Sequence, residues 1–358
     1  MLLRSALWQK ELDHFKMTPW EYKEVMKDGD KQCVTGLITD CLESNNMGLK
    51  KPCVIHMLKL KKALAAENTR INNNLHALCQ LLEKENISFV VVKGQTLGAF
   101  YPHPELRTPG DIDFYVPNSD YSKAASVIRH SWNVTLEKGE SNMHRAFEYN
   151  KTEFEMHNML CEFPNKKMQN RFNQLIDTNQ VDYVVVADRQ IPTLSPTLNV
   201  FYTFLHLYHH LIKLGVALRQ LCDLTVLIHN LCYRIDRALL SRELKKLGFY
   251  KAFLAIGSIL INKLGLPESE FPFQLSAKDV KYGNKLLHII LKHGNWGQYE
   301  RNSHERKSIS YLWERANYRL ANQMLLYRLS PRYNFSLLFY ELPQKTWERI
   351  KCLKGKAS

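Results

Sequence analysis

Two short apolar runs that end or begin at polar residues constrain the fold of this chain most. "ISFVVV" (87–92) is rich in β-branched residues, and Gly94 follows it closely. "DIDFYV" (111–116) alternates in polarity and carries Asp111 and Asp113. Runs of this length and composition predict strands, and a glycine just after the first one predicts a sharp turn. The sequence therefore predicts two strands whose ends carry polar side chains.

Asp111 and Asp113 lie two residues apart, so on a strand both carboxylates point to the same face. Two like charges this close repel each other unless a cation lies between them. Mg²⁺ is commonly held by one or two carboxylates together with phosphate oxygens and water. The pair therefore predicts a divalent-metal site. The structural alternative is an exposed strand end whose two carboxylates are solvated.

The segments on either side of this pair favour the metal site. "VVVKGQTLG" (90–98) indicates a strand, a turn and a helix, and the first N–H groups of that helix can meet a phosphate. "TEFEMH" (152–157) places Glu153, Glu155 and His157 on one face of a further strand. Glu155 lies between two apolar residues and is the first candidate for a third carboxylate. Glu153 is the second candidate, and His157 is either an orienting group or an ordinary strand-end histidine.

Three motifs in this region resemble those of a known superfamily. They are "KGQTL" (93–97), "YPHPELR" (101–107) and "GDID" (110–113). They are similar to the K-G-x-x-L, Y-P-x-P-x-L-R and G-D-I-D motifs of bacterial nucleotidyltransferase family proteins, a branch of the superfamily that includes DNA polymerase β. The resemblance covers most of residues 55–230 and implies the nucleotidyltransferase fold.

The resemblance implies an enzyme that moves a nucleoside monophosphate from an NTP, with ATP among the candidates, to an acceptor hydroxyl. Two Mg²⁺ ions, or Mn²⁺ in their place, are expected on Asp111, Asp113 and Glu155, which are the expected catalytic and metal-binding residues. A small sugar-like acceptor is favoured over a protein or an RNA end. A hypothesis of a different class is a nucleotide-sensing or nucleotide-binding module that keeps the fold without turnover.

The expected nucleotide contacts are Lys93, Gly94, Gln95, Arg107 and Arg219. Better-known superfamily members carry Gly-Ser where this chain has Gly94-Gln95, so the phosphate contact falls to Gln95, to backbone N–H groups or to Lys93. The alternative for Lys93 is a strand-end lysine whose aliphatic stem packs on apolar surface. Arg107 either clamps a phosphate or anchors its proline-rich loop on an acidic neighbour.

The helical segment "HLYHHLIKLGVALRQLCDL" (206–224) holds two further candidate features. Arg219 and Asp223 have i,i+4 spacing and predict a local ion pair, with a phosphate contact of Arg219 as the alternative. His206 and His210 lie one helical turn apart, but the H-E-x-x-H pattern is absent. Zinc is therefore not predicted on this helix.

Hydrophobic periodicity predicts an α+β fold with N-terminal helices and a helical C-terminal region. The resemblance implies that the part between them is a nucleotidyltransferase-type mixed β-sheet with helices. The clearest helix is predicted over 56–87, where apolar residues from Met57 to Leu82 recur at helical spacing. The predicted segments are an N-terminal helical segment (1–84), a nucleotidyltransferase α/β domain (85–192) and a helical C-terminal region (193–358).

Charge and cysteine content bear on partners and location. The 358 residues have a formal net charge of +14, which makes an anionic partner plausible. Much of the excess lies in the basic tail, residues 301–358, which either contacts an anionic partner or covers the core with an amphipathic helix. The eight cysteines form no C-x-x-C pair, which is typical of reduced thiols. With no long apolar stretch, the sequence predicts a cytoplasmic protein without a membrane span.

Overall fold

The computed structural model of the chain describes residues 1–12, 16–45, 48–138, 143–178, 180–213, 215–294, 325–337 and 339. Within them, helices surround a small mixed sheet. The predicted α+β class is confirmed. Most of the basic tail, including residues 301–324, lies outside the described residues, so the two hypotheses for it stay predictions.

Four helices precede the sheet: α1 (Leu2–Trp8), α2 (Pro19–Lys31), α3 (Thr35–Ser44) and α4 (Lys51–Lys84). Helix α2 begins where Thr18 and Glu21 form a reciprocal capping box. The helix predicted over 56–87 is confirmed as α4, which begins earlier and ends at Lys84. Its buried side chains recur on one face, and they include Ile71, Leu75 and Leu78. Burial of this stripe, rather than helix propensity alone, stabilises α4.

The central part of the chain forms a five-stranded sheet. Its elements are β1 (Val90–Val92), α5 (Gly94–Gly98), a 3₁₀ turn (Pro104–Leu106), β2 (Ile112–Tyr115), α6 (Asn118–Trp132), β3 (Glu137–Lys138), β4 (His144–Tyr149) and β5 (Thr152–His157). The strand order is β1-β2-β5-β4-β3. Strands β2 and β5 are parallel, and the other neighbours are antiparallel. The first strand is shorter than the apolar run 87–92 that predicts it.

The remaining elements are α7 (Lys166–Asp177), β6 (Asp182–Val186), β7 (Arg189–Thr193), α8 (Pro196–Lys213), α9 (Leu218–Leu231), α10 (Arg237–Lys246), α11 (Tyr250–Asn262), α12 (Ala277–His293) and a short helix at Pro331–Ser336. Strands β6 and β7 form a separate hairpin. It lies against β1, where the Thr193 hydroxyl donates to the Val91 carbonyl at 2.8 Å. Among the described helices, none has the length and apolarity needed to cross a bilayer.

The five-stranded sheet lies between two apolar clusters, and β1 shows the division. Val91 belongs to a cluster formed with α4 and α6, whereas Val90 and Val92 belong to a larger one formed with the N-terminal and C-terminal helices. Asp113 pairs with Val92 and therefore points toward the larger cluster. This larger cluster draws residues from all three predicted segments, so the domain division stays a prediction.

Candidate functional site

The chain turns sharply between β1 and α5, and the turn brings two backbones together. Lys93 and Gly94 both have positive φ, 58° and 44°. A Cβ on Gly94 would lie 3.1 Å from the carbonyl oxygen of Asp111. Left-handed backbone at a non-glycine residue is costly and is concentrated at functional sites. The predicted sharp turn is present, and glycine is needed there to let the Asp111 backbone approach.

Strand register brings the third carboxylate to the Asp pair. Asp113 on β2 and Glu155 on β5 are direct partners across the parallel strands, so their side chains share a face. One oxygen each of Asp111, Asp113 and Glu155 lie within 4.8 Å of one another. Asp113 is buried, while Asp111 and Glu155 are partly exposed. Glu153 is exposed two residues earlier on β5 and is outside this group. The three oxygens suit a hard divalent cation.

A cation and a histidine hold the buried carboxylate. Lys93 Nζ lies 2.7 Å from Asp113 Oδ1, and His157 Nε2 lies 2.8 Å from the same oxygen. Burial opposes ionisation of Asp113, but Lys93 and the hydrogen bond from His157 hold its pKa below the ordinary value. Repulsion from Asp113, together with burial, raises the pKa of Asp111 to about 6. Three carboxylates against one lysine leave negative charge that a divalent ion can balance.

The loop before Asp111 is fastened by a buried ion pair. Arg107 Nε and Nη2 lie 2.7 and 2.9 Å from the two carboxylate oxygens of Asp223 on α9. The Tyr101 hydroxyl donates to the same carboxylate at 2.7 Å. All three side chains are buried. Of the two alternatives for Arg107, the structure shows the loop anchor, because the planar fork of the guanidinium faces Asp223. A phosphate contact of Arg107 stays a prediction.

The predicted ion pair between Arg219 and Asp223 is wrong, because Arg107 and Tyr101 bind the carboxylate of Asp223. Arg219 instead donates from Nη1 to the carbonyls of Thr108 and Pro109 at 3.2 and 3.3 Å. It therefore lies behind the loop that leads into the Asp pair. A phosphate contact of Arg219 stays a prediction.

The Gln95 side chain points toward α4 and away from the β1–α5 turn. Its amide donates to Asn68 Oδ1 at 3.3 Å and also to Asn72 Oδ1. The expected phosphate contact of this side chain is therefore not supported by its position. The backbone N–H groups of Gly94 and Gln95 start α5 and keep the role predicted for them.

Helix α8 flanks the site on the side of Lys93. Burial and the Lys93 charge lower the pKa of His206 well below its ordinary value. Burial raises the pKa of Tyr202, and Lys93 opposes that rise. The His206 and His210 rings are 4.3 Å apart between centroids. Among the described residues, the side-chain groups with metal-ligand spacing lie at the sheet and not on this helix. The sequence did not indicate that α8 would adjoin the carboxylates.

Two cavities open beside the carboxylates. One has a volume of about 380 Å³ and is lined by residues that include Arg70, Asp111 and Glu153. The other has a volume of about 520 Å³, and Glu137 and Glu155 are among its lining residues. Solvent therefore reaches Asp111 through the first cavity and Glu155 through the second.

Replacing Gly94 by alanine is expected to lower the free energy of unfolding by about 1–2 kcal/mol, because an L-residue is strained at positive φ. The added Cβ also presses on the Asp111 carbonyl, so the affinity for Mg²⁺ should fall. Gly98→Ala is the matched control, since a Cβ there meets only the Arg107 side chain at 3.4 Å. Denaturant unfolding and calorimetric Mg²⁺ titration measure both effects. Equal behaviour of the two variants would contradict the prediction.

Comparison with known proteins places the site within a family. A family model described as "Uncharacterised nucleotidyltransferase" matches residues 22–263, which include every residue of the carboxylate group. No curated protein matches the chain. Among solved structures, an antigenic nucleotidyltransferase-like protein from Paracoccidioides brasiliensis is 13% identical, with 45% of this chain and 76% of that chain covered and a TM-score of 0.34.

Proposed function

The chain belongs to the uncharacterised nucleotidyltransferase family, and on that premise we propose that it transfers a nucleoside monophosphate from an NTP to an acceptor hydroxyl. A bond forms between the acceptor oxygen and the α-phosphorus, the bond from the α-phosphorus to the oxygen that bridges to the β-phosphorus breaks, and the hydroxyl proton passes to water. Pyrophosphate leaves. The observation that carries the proposal is the group of three carboxylate oxygens within 4.8 Å.

The residues of the site fit divalent metal. Asp111, Asp113 and Glu155 would hold Mg²⁺, and two such ions would neutralise phosphate charge and activate the acceptor hydroxyl. Lys93 and His157 fix the Asp113 carboxylate through contacts of 2.7 and 2.8 Å, so the orientation of this ligand is set before substrate arrives. Such preorganisation is the main contribution of a protein to phosphoryl transfer.

The phosphates would be met at the turn between β1 and α5. The backbone N–H groups of Gly94 and Gln95 lie at a helix start, where anions are favoured. Lys93 is mostly buried beside the carboxylates and supplies positive charge toward the β- and γ-phosphates. Arg219 supports the same region through the carbonyls of Thr108 and Pro109. We leave Arg107 out of the phosphate-binding set, because it is used as an anchor.

The surroundings of Glu155 favour a small acceptor over an RNA end. The cavity of about 520 Å³ next to Glu155 is also lined by Glu137, Glu148 and Glu153. A phosphodiester chain would be repelled by these carboxylates. A neutral or amine-bearing small molecule, such as a sugar-like one, would not be.

Mg²⁺ or Mn²⁺ together with NTP should raise the melting temperature of the protein, because ligands that bind only the folded state stabilise it. The expected gain is about 2.7 kcal/mol at a ligand concentration of 100 times Kd. Differential scanning fluorimetry with each of the four NTPs at millimolar metal measures this shift. No shift with any NTP would contradict the proposal.

Asp111→Asn is the control variant for this measurement. It removes a ligand of the metal and should abolish the shift. The metal-free variant should be at least as stable as the unaltered protein, since the repulsion that raises the Asp111 pKa to about 6 is removed. A destabilised metal-free variant would show that Asp111 has a structural role instead.

A further inference from the structure

Glu155 lies between two imidazole rings. Its Oε1 is 3.5 Å from His144 Nε2, and its Oε2 is 3.3 Å from His157 Nε2. His144 on β4 and His157 on β5 are direct partners in the sheet, so both rings lie on the face that carries Glu155. Their ring centroids are 5.0 Å apart. One ligand atom from each of the three residues lies within 4.8 Å of the others.

We propose that His144, Glu155 and His157 form a binding site for a zinc-class transition-metal ion. The site shares Glu155 with the group around Asp111 and Asp113, and its His157 also contacts Asp113. It goes beyond the proposed nucleotidyl transfer and does not depend on it, because metal binding can be measured without nucleotide.

The distances around Glu155 match the edges of a metal coordination shell. Ligands at about 2.0–2.1 Å from a tetrahedral ion lie about 3.3 Å from one another. The two carboxylate–imidazole distances, 3.3 and 3.5 Å, are close to that edge. They are longer than the ~2.7–2.9 Å of a charge-assisted hydrogen bond. Glu155 is therefore placed to share a cation with both rings better than to accept strong hydrogen bonds from them.

The ligand types separate this site from the oxygen-only group beside it. Imidazole with carboxylate suits Zn²⁺, Co²⁺ or Ni²⁺, whereas carboxylates alone suit Mg²⁺. His144 and His157 side chains are 15% and 7% exposed, so the rings are already largely removed from water. Rings fixed in this way lose little further freedom when they bind an ion.

The second nitrogen of each imidazole ring bears on the ordered water around the site. Nδ1 of His144 and Nδ1 of His157 are buried, and neither has a hydrogen-bond partner among the described residues. A buried polar atom without a partner is rare and points to a missing water. The Nε2 atoms face Glu155 and would bind the cation, and an ordered water at each Nδ1 would complete the two rings.

Metal binding competes with a proton at His157. Nε2 of this ring also lies 2.8 Å from Asp113 Oδ1, so an ion bound there replaces the proton between them. Asp113 keeps Lys93 at 2.7 Å as its partner. The carboxylate of Asp113 is therefore not left unpaired when the ion binds.

Calorimetric titration of the chelator-treated full chain with Zn²⁺, in millimolar Mg²⁺ and without nucleotide, tests the proposal. We expect one zinc equivalent that Mg²⁺ does not displace, and Co²⁺ should give the intense visible absorption of a low-coordinate ion. His144→Ala and His157→Gln should each weaken Zn²⁺ binding by about 100-fold or more, at or beyond the loss seen for outer-shell partners. Absence of Zn²⁺ binding by the unaltered protein would overturn the proposal.

Three controls make the result specific. His130→Ala removes an exposed histidine on α6 and should bind Zn²⁺ normally. Asp111→Asn should also keep Zn²⁺ binding, and an equal loss in this variant would show that zinc only occupies the carboxylate group. His157→Gln keeps a side chain that can donate to Asp113, and circular dichroism in chelator checks its fold. Normal Zn²⁺ affinity in both histidine variants would refute the site.

Discussion

Replacing Glu155 by glutamine is expected to leave most of the NTP affinity in place and to slow nucleotidyl transfer about a hundredfold or more. The change removes a negative charge without changing shape. In the proposed two-metal site, Asp111 and Asp113 would also hold the nucleotide-bound ion, whereas Glu155 would hold only the ion that activates the acceptor. The negative charge that holds this ion stabilises the transition state more than it stabilises the bound nucleotide. Binding should therefore suffer less than turnover.

Glu153→Gln is the matched control, since it makes the same change two residues earlier on β5. Glu153 is exposed and lies outside the group of three carboxylates, so both binding and transfer should stay close to normal. Calorimetry with Mg²⁺ and NTP measures affinity, and release of labelled pyrophosphate over a panel of acceptors measures turnover. Near-normal transfer by both variants would place the third ligand elsewhere. Binding without transfer in the unaltered protein, for all four NTPs, would favour the nucleotide-sensing module.

The carboxylates of the site could be predicted from the sequence because the period of a strand is local. Asp111 and Asp113 share a face wherever β2 lies, and Glu155 stands out between apolar residues. The parallel register that pairs Asp113 with Glu155 is not local. The resemblance to a known family implied that Glu155 joins the Asp pair, but not this register. Helix α4 was predictable for the same reason as the Asp pair, since its apolar stripe repeats along one continuous element.

The parts that sequence reasoning missed depend on long-range partners. The sequence predicts Arg219, four residues away, as the ion-pair partner of Asp223. The actual partner is Arg107, which lies 116 positions away in the sequence. Local spacing cannot show that the guanidinium of a distant arginine binds this carboxylate in place of the nearby one. His144 was missed because its importance comes from pairing with His157 across β4 and β5. Strand β7 was missed because Pro192 argues against a strand, although as half of a two-stranded hairpin it tolerates proline.

The positions of Arg107 and Tyr101 give the "YPHPELR" motif a physical role. Both side chains leave the loop that joins α5 to the Asp pair, and both bind the Asp223 carboxylate. Asn68 on α4 donates to the carbonyls of Glu105 and Arg107 at 2.8 and 3.0 Å. The motif therefore holds the approach to Asp111 between α4 and α9.

Asp223→Asn is expected to lower the free energy of unfolding by about 3–5 kcal/mol, the usual cost of removing one partner from a buried ion pair. The substitution leaves the Arg107 guanidinium, only 5% exposed, without its counter-charge. Asp182→Asn is the control, because its partner Arg234 is 54% exposed and such pairs contribute about 0–1 kcal/mol. Denaturant unfolding of the three proteins measures the difference.

The double variant Arg107→Met with Asp223→Leu distinguishes the effect of the unpaired charge on stability from the effect of lost packing. Replacing both partners of a buried pair by apolar side chains is often neutral or stabilising, so this variant should recover much of the lost stability. Its Mg²⁺–NTP thermal shift should stay reduced, because Tyr101 has lost its acceptor and the loop before Asp111 is less fixed. A double variant as unstable as Asp223→Asn would show that packing, and not the unpaired arginine, causes the loss. A full thermal shift in the double variant would show that the loop anchor does not position the site.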